Sequence, residues 1–194
     1  MRWIVFDYGE VISKRTTALP DLAGVLGADP IAFEGSYWAH REAYDRGMTD
    51  LEYWSLVAGS ELDPQVSAQL TKIDTTGWLT LDQSTVDLIA DVKAAGLGLA
   101  LLSNAPSAFG RLVETEAWTK QFAHLLFSGD LGIAKPDAEI WTALLDRLGA
   151  RAPDCVFFDD RQVNIDGATA AGLHGRLWRS AEQARSDLSA LEWL

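Results

Sequence analysis

Trp3-Ile4-Val5-Phe6 is an unbroken apolar run that stops at Asp7 and Gly9. A short run without polar alternation predicts a strand buried on both faces, as in parallel sheets. Leu97 to Leu102, ending at Ser103-Asn104, has the same form, and so does Cys155 to Phe158, ending at Asp159-Asp160. Leu125-Leu126-Phe127 predicts a shorter strand followed by a loop from Ser128 to Lys135, and His174 to Trp178 a last one. Helical periodicity lies between them. Val86, Ile89 and Val92 share a helix face, with Ser84 as the expected N-cap and Gly96 as the stop. Pro106 to Ala117 is expected to be helical. Ile140, Trp141, Leu144, Leu145 and Leu148 form a stripe with Pro136 near its start and Gly149 past its end. Ile165, Ala168 and Gly172 are placed on the next helix, and Ser180 to Leu191 on the last. Strands alternating with helices predict an α/β fold: a Rossmann-like parallel sheet with helices on both faces.

The stretch 13–79 follows a different pattern. It is rich in Ala, Leu and aromatics, shows no strand, and breaks at Pro20, Pro30, Gly47 and Pro64. Three or four short helices are expected there, inserted after the first strand. Thr49-Asp50-Leu51-Glu52 fits a capping box, with Thr49 as N-cap and Glu52 three residues on. The expected organisation is a core of 1–12 and 80–194 and a helical insertion of 13–79. Tyr37, Trp38, Tyr44, Tyr53 and Trp54 are expected mostly in the insertion's own core.

Composition narrows the partners. The chain has 194 residues, which suits one domain with a small insert. Its 28 acidic and 16 basic side chains give a formal net charge of -12, which argues against nucleic acid and against an anionic membrane. An anionic substrate stays open, because a site can carry its own cations. The single cysteine, Cys155, excludes an intramolecular disulfide. No apolar run approaches transmembrane length, and the first apolar run is too short for a signal peptide, so a cytoplasmic location is expected.

Three core strands end in carboxylates or small hydrogen-bonding side chains: Asp7, then Ser103 with Asn104, then Asp159 with Asp160. Lys135 closes a loop behind a fourth. Taken singly, each is an ordinary turn or cap residue. In an open parallel sheet, however, all carboxyl ends share one edge, where ligands bind. Three carboxylates around one lysine repel one another, and a divalent cation removes that conflict. Hard oxygen donors without histidine or thiol point to Mg²⁺, which commonly pairs carboxylates with a substrate phosphate.

Phe6-Asp7-Tyr8-Gly9-Glu10-Val11-Ile12, Leu102-Ser103-Asn104, Gly132-Ile133-Ala134-Lys135-Pro136 and the segment from Phe157 to Ile165 resemble the four ordered motifs of the haloacid dehalogenase superfamily. The subgroup most similar carries a small helical cap after the first strand and includes sugar-phosphate phosphatases and the phosphatase domain of soluble epoxide hydrolase. The segment Gly47 to Trp54 is similar to one found in such caps. The resemblance implies that Asp7 is the nucleophile and a metal ligand, and that Ser103 and Asn104 bind the transferring phosphoryl group. It implies that Lys135 neutralises nucleophile and phosphoryl oxygens. It also implies Asp160 and the Gly9 carbonyl as metal ligands, with Asp159 and Asn164 in support. The implied substrate is a small phosphorylated metabolite and the implied cofactor Mg²⁺.

One departure stands out. Most phosphatases of the superfamily carry a second aspartate, as acid and base, where this chain has Gly9. Glu10 is one residue further on. Dehalogenase members also lack that aspartate, since a halide leaves without a proton, and they work without metal. Three readings are therefore carried forward: a Mg²⁺-dependent phosphatase, a 2-haloacid dehalogenase, and a catalytically weak binding protein. His40, His124 and His174 fit no motif.

Overall fold

The computed structural model describes residues 1–194. Its centre is a five-stranded parallel sheet of β1 (Trp3–Phe6), β2 (Gly98–Ser103), β3 (His124–Phe127), β4 (Cys155–Asp159) and β5 (His174–Leu177), in the order β3-β2-β1-β4-β5. The apolar runs are continuous because successive residues face opposite, equally covered sides. Ile4, Phe6, Leu99, Leu101, Val156 and Phe158 join one buried cluster, and Trp3, Val5, Ala100, Leu102, Cys155 and Phe157 join another. Each large apolar side chain so buried stabilises the fold by roughly 1.5–3 kcal/mol.

Four helices lie between β1 and β2: α1 (Leu19–Leu26), α2 (Pro30–Asp45), α3 (Asp50–Ala58) and α4 (Pro64–Gly77). They enclose a separate core of Leu22, Phe33, Tyr37, Tyr44, Tyr53, Trp54 and Leu70. Tyr44 and Tyr53 stack there, with ring centroids 4.0 Å apart. Proline opens α2 and α4, where its missing N–H costs no helical bond. The Thr49–Glu52 capping box is formed in full. Trp38 is the exception among the aromatics, being exposed.

The remaining helices flank the sheet: α5 (Gln83–Ala94), α6 (Ser107–Val113), α7 (Ser128–Leu131), α8 (Ala138–Leu148), α9 (Gln162–Ala170) and α10 (Ala181–Ala190). Four local expectations need correction. Asp82, not Ser84, caps α5; its carboxylate accepts from the Ser84 N–H at 2.9 Å, so the helix starts two residues earlier. The helix after Pro106 stops at Val113, and residues Ala117–Gln121 form a separate 3-10 turn. Ser128 opens a helical turn rather than a loop. Gly172 lies beyond α9, at φ 89°, in the left-handed turn that leads back to β5. No helix is long and apolar enough to cross a membrane.

The inserted helices dock on the core at a few points. The Tyr8 hydroxyl donates to the Trp78 carbonyl at 2.7 Å, and Ser13 bridges Leu81. Arg46 pairs with Asp137, and the Ser128 hydroxyl donates to the Asp45 carbonyl. Gly47 sits at φ +100° with the Gly129 carbonyl 3.0 Å from where a Cβ would be. The end of α2 is thereby held over the carboxyl edge of the sheet.

Candidate functional site

Because β1 lies between β2 and β4, three strand ends meet. Phe6 is in register with Leu101 and with Phe158, so the residues that follow, Asp7 and Asp159, stand side by side at the edge. The Asp7 N–H donates to the Phe158 carbonyl at 2.9 Å, which carries the sheet one residue further and fixes the Asp7 backbone. Ser103 ends β2 and is buried on the other flank. Lys135 reaches the same point from the loop after α7.

The Lys135 ammonium is enclosed. It donates to Asp7 Oδ1 at 2.7 Å, to Asp159 Oδ2 at 2.7 Å and to the Leu102 carbonyl at 2.9 Å. Those three bonds use all of its protons. Burial alone lowers a lysine pKa, but Asp7 and Asp159 outweigh it, and the pKa is raised. Asp7 is pushed up to about 7, chiefly by burial; Lys135 pulls it down and Asp159 pushes it up. Asp160 is also raised, by burial first and then by Asp159 and Glu10.

The three carboxylates have different duties. Asp159 is fully buried, and both of its oxygens are already engaged. Oδ1 accepts from the Arg161 N–H at 2.8 Å and from Asn164 Nδ2 at 2.9 Å; Oδ2 accepts from Asn164 Nδ2 at 2.9 Å and from Lys135. It is a brace. Asp7 and Asp160 open on a cavity of about 330 Å³, which is also lined by Gly9, Ser103 and Asn104. Asn104 is partly committed: its Oδ1 accepts from the Lys135 N–H and its Nδ2 donates to the Lys135 carbonyl, both at 2.9 Å. Glu10 is exposed at φ 57° on the cavity rim.

The residues fit a divalent cation. Carboxylate oxygens of Asp7, Asp159 and Asp160 lie within 4.8 Å of one another, and those of Asp7 and Asp160 face the cavity, while Asp159 adds its charge from behind. Two of the three are held at raised pKa values by burial and mutual repulsion, the conflict a cation resolves. The donors are all oxygen, which suits Mg²⁺.

A sequence model of the haloacid dehalogenase-like hydrolases matches residues 2–172. The chain belongs to this family. Among curated relatives of this hydrolase, a sesquiterpene phosphatase of Aspergillus oryzae is 24% identical over 177 residues, covering 90% of this chain and 85% of that protein. A phosphoglycolate phosphatase of Yersinia pestis is 29% identical over 154 residues, covering 75% of this chain and 58% of that protein. The chain thus spans little more than half the length of the second relative. A Bacteroides thetaiotaomicron enzyme of the family, solved as an aspartate-to-alanine mutant with magnesium and inorganic phosphate, superposes at TM-score 0.73 with 16% identity, covering 93% of this chain and 95% of that one. The L-2-haloacid dehalogenase of Xanthobacter autotrophicus superposes at 0.71 with 17% identity, covering 98% and 83%. The fold is common to both chemistries, and discrimination between them falls to the site.

The hydrolase also presents cleft residues that no sequence motif marked. Trp38, Asp45, Trp78 and Arg15 complete the cavity wall together with Arg161 of the fourth motif, and Arg41 and Asp45 line an adjoining cavity of about 560 Å³. Asp45 is pushed up to about 6, mainly by burial, against the pull of Arg41. One signal was available: Asp45 is the last residue of α2, where the helix dipole disfavours a carboxylate.

Proposed function

We propose that this hydrolase is a Mg²⁺-dependent phosphatase acting on a small phosphomonoester through an aspartyl-phosphate on Asp7. The observation that supports it best is the Asp7–Lys135–Asp159 arrangement beside Asp160: one carboxylate facing the cavity, one saturated as a brace, and one free beside them.

In this reading Lys135 holds Asp7 Oδ1, which orients Oδ2 toward phosphorus. Oδ2 attacks in line and the ester oxygen departs. Ser103 donates to the phosphoryl oxygens as charge builds on them, and the Lys135 ammonium, its protons held by Asp7, Asp159 and the Leu102 carbonyl, offsets that charge through its own. Asn104 keeps the Lys135 backbone in place at 2.9 Å on both sides, beside the same oxygens. Asp159 and Asn164 fix the ammonium from behind. Asp7, the Gly9 carbonyl and Asp160 would hold Mg²⁺, which when bound neutralises phosphoryl charge and offsets the repulsion among the carboxylates. The core of 1–12 and 80–194 carries these groups, and the cap of 13–79 covers them.

The dehalogenase reading draws on Gly9, because a halide needs no proton. The three carboxylates within 4.8 Å weigh against it, since they repel the carboxylate of a 2-haloacid. The binding-protein reading rests on Gly9 alone. The test is a paired assay with and without Mg²⁺, following phosphate release from p-nitrophenyl phosphate and halide release from 2-chloropropionate. Mg²⁺-dependent phosphate release that vanishes in Asp7→Asn is expected. Metal-independent halide release alone reverses the assignment to dehalogenase.

A further inference from the structure

The phosphatase reading leaves one proton without a donor. When Asp7 displaces an alkyl ester, the leaving oxygen departs as an alkoxide unless an acid in reach protonates it. Gly9 offers no side chain. Lys135 is surrounded by its three acceptors and Asp159 by its four bonds. Asp7 is the nucleophile, and Asp160 stands with it in the carboxylate cluster. Arg15 and Arg161 present guanidinium groups, which bind anions as hydrogen-bond donors and do not serve as proton-transfer acids. Glu10 is exposed. Asp45 remains.

Asp45 enters the cavity from the cap side, across from the sheet edge. Its side chain is 14% exposed and shares the wall of the 330 Å³ cavity with Asp7, Ser103 and Lys135. Arg41 Nε donates to its Oδ1 at 2.8 Å, which sets the carboxyl orientation. The Ser128 hydroxyl donates to its backbone carbonyl, which fixes α2 against the core at this residue.

We propose that Asp45 is the general acid and base of the reaction, serving the leaving group from the cap. This rests on the phosphatase reading. In the first step the Asp7 Oδ2–phosphorus bond forms, the phosphorus–ester oxygen bond breaks, and the Asp45 carboxyl gives its proton to the departing oxygen. In the second, a water attacks phosphorus and passes a proton to the Asp45 carboxylate. The Asp7–phosphorus bond breaks, and both carboxyl groups return to their starting states. The groups facing Asp45 are Arg41 and Glu42 of its own helix, Tyr53 of α3, Asp74 of α4, and Lys135 and Arg161 of the core. Burial outweighs these cations and keeps the carboxyl near 6, where it exchanges protons close to neutral pH.

The test compares p-nitrophenyl phosphate with benzyl phosphate, esters of similar size, on the full chain with Mg²⁺. Nitrophenolate leaves without a proton; benzyl alkoxide needs one. Asp45→Asn is expected to lower the benzyl-to-nitrophenyl ratio of kcat/KM, which reports the ester-cleaving step and not the hydrolysis common to both esters, by about 10²-fold or more. It should also abolish the alkaline limb of the benzyl pH profile. Adding Gly9→Asp should restore the ratio, since a Cβ at Gly9 meets only the Trp78 ring, at 3.8 Å. Should Asp45→Asn fail to fold, Asp45→Glu serves: it should keep the limb while lowering the benzyl rate. Equal losses of kcat/KM on both esters in Asp45→Asn, or loss of the limb in Asp45→Glu, overturn the proposal and leave Asp45 a prop for Arg41. Wild-type turnover of the nitrophenyl ester alone overturns it too, with the phosphatase reading intact. Phosphate release from neither ester removes the phosphatase reading and this assignment with it.

Discussion

Asn104 and Lys135 grip one another through a single side-chain amide: the Asn104 Oδ1 accepts from the Lys135 N–H and its Nδ2 donates to the Lys135 carbonyl, at 2.9 Å each way. The end of β2 and the loop after α7 are thereby locked together. Lys135 cannot shift without breaking a pair of bonds far from its own ammonium.

Asn104→Ala therefore tests positioning. Both bonds go, and two backbone groups of Lys135 lose their partners. The fold should lose about 1–3 kcal/mol. A misplaced Lys135 should lower kcat on p-nitrophenyl phosphate by about 10²-fold with KM little changed. A rise in KM with kcat preserved would instead mark Asn104 as a substrate contact. Steady-state kinetics beside urea unfolding separate the two.

Lys135→Met should be worse for the fold than for any surface lysine. It leaves Asp7 and Asp159 buried without their shared cation. Removing one partner of a buried pair costs about 3–5 kcal/mol. Added Mg²⁺ should return part of that loss by replacing positive charge among the carboxylates. Denaturant unfolding with and without Mg²⁺ measures it, and a variant as stable as wild type in the absence of metal contradicts the account.

The strands were legible because nothing in them alternates. Trp3 to Phe6 and Cys155 to Phe158 are apolar throughout since helices cover both faces of the sheet. That same regularity places Asp7, Ser103 and Asp159 on one edge without further information. Legibility ended where tertiary contacts decide. Asp82 and Ser84 are both competent caps two residues apart, and only the backbone conformation selects Asp82. Ser128-Gly129 reads as the start of a loop, yet it opens α7, and Gly129 has the Ser107 amide 2.6 Å from where a Cβ would stand, so close packing sets its identity. The division of duties among Asp7, Asp159 and Asp160 depends on Arg161 and Asn164 bonds that spacing does not reveal. Asp45 and Arg41 reach the cleft only because α2 docks on residues 128 and 137 of the core.

Cys155 should be inert in the native state. It is fully buried in β4, and burial pushes its thiol up to about 11. The thiolate that alkylating agents need is then both scarce and enclosed. Iodoacetamide should label it only in denaturant, and labelling at native rates comparable to a free thiol would show that β4 opens.

Stability against pH should carry the mark of Asp45. Its folded pKa of about 6 lies above the ordinary 3.8, so between those values the native state holds a proton the unfolded chain has released. The native state binds more protons, and stability must fall as pH rises across that window. The loss attached to this one group is on the order of 3 kcal/mol. Asp7, pushed up to about 7, adds its own slope across the same window and on to neutrality, so wild type alone does not isolate the effect. Asp45→Asn does, because an amide has no proton to lose there. Urea unfolding of both proteins from about pH 4 to 7 should show the variant gaining on wild type through the window and running parallel outside it. Any fixed cost of weakening the Arg41 contact moves the whole curve without changing that shape. Parallel curves throughout would mean that Asp45 titrates as an ordinary surface carboxylate.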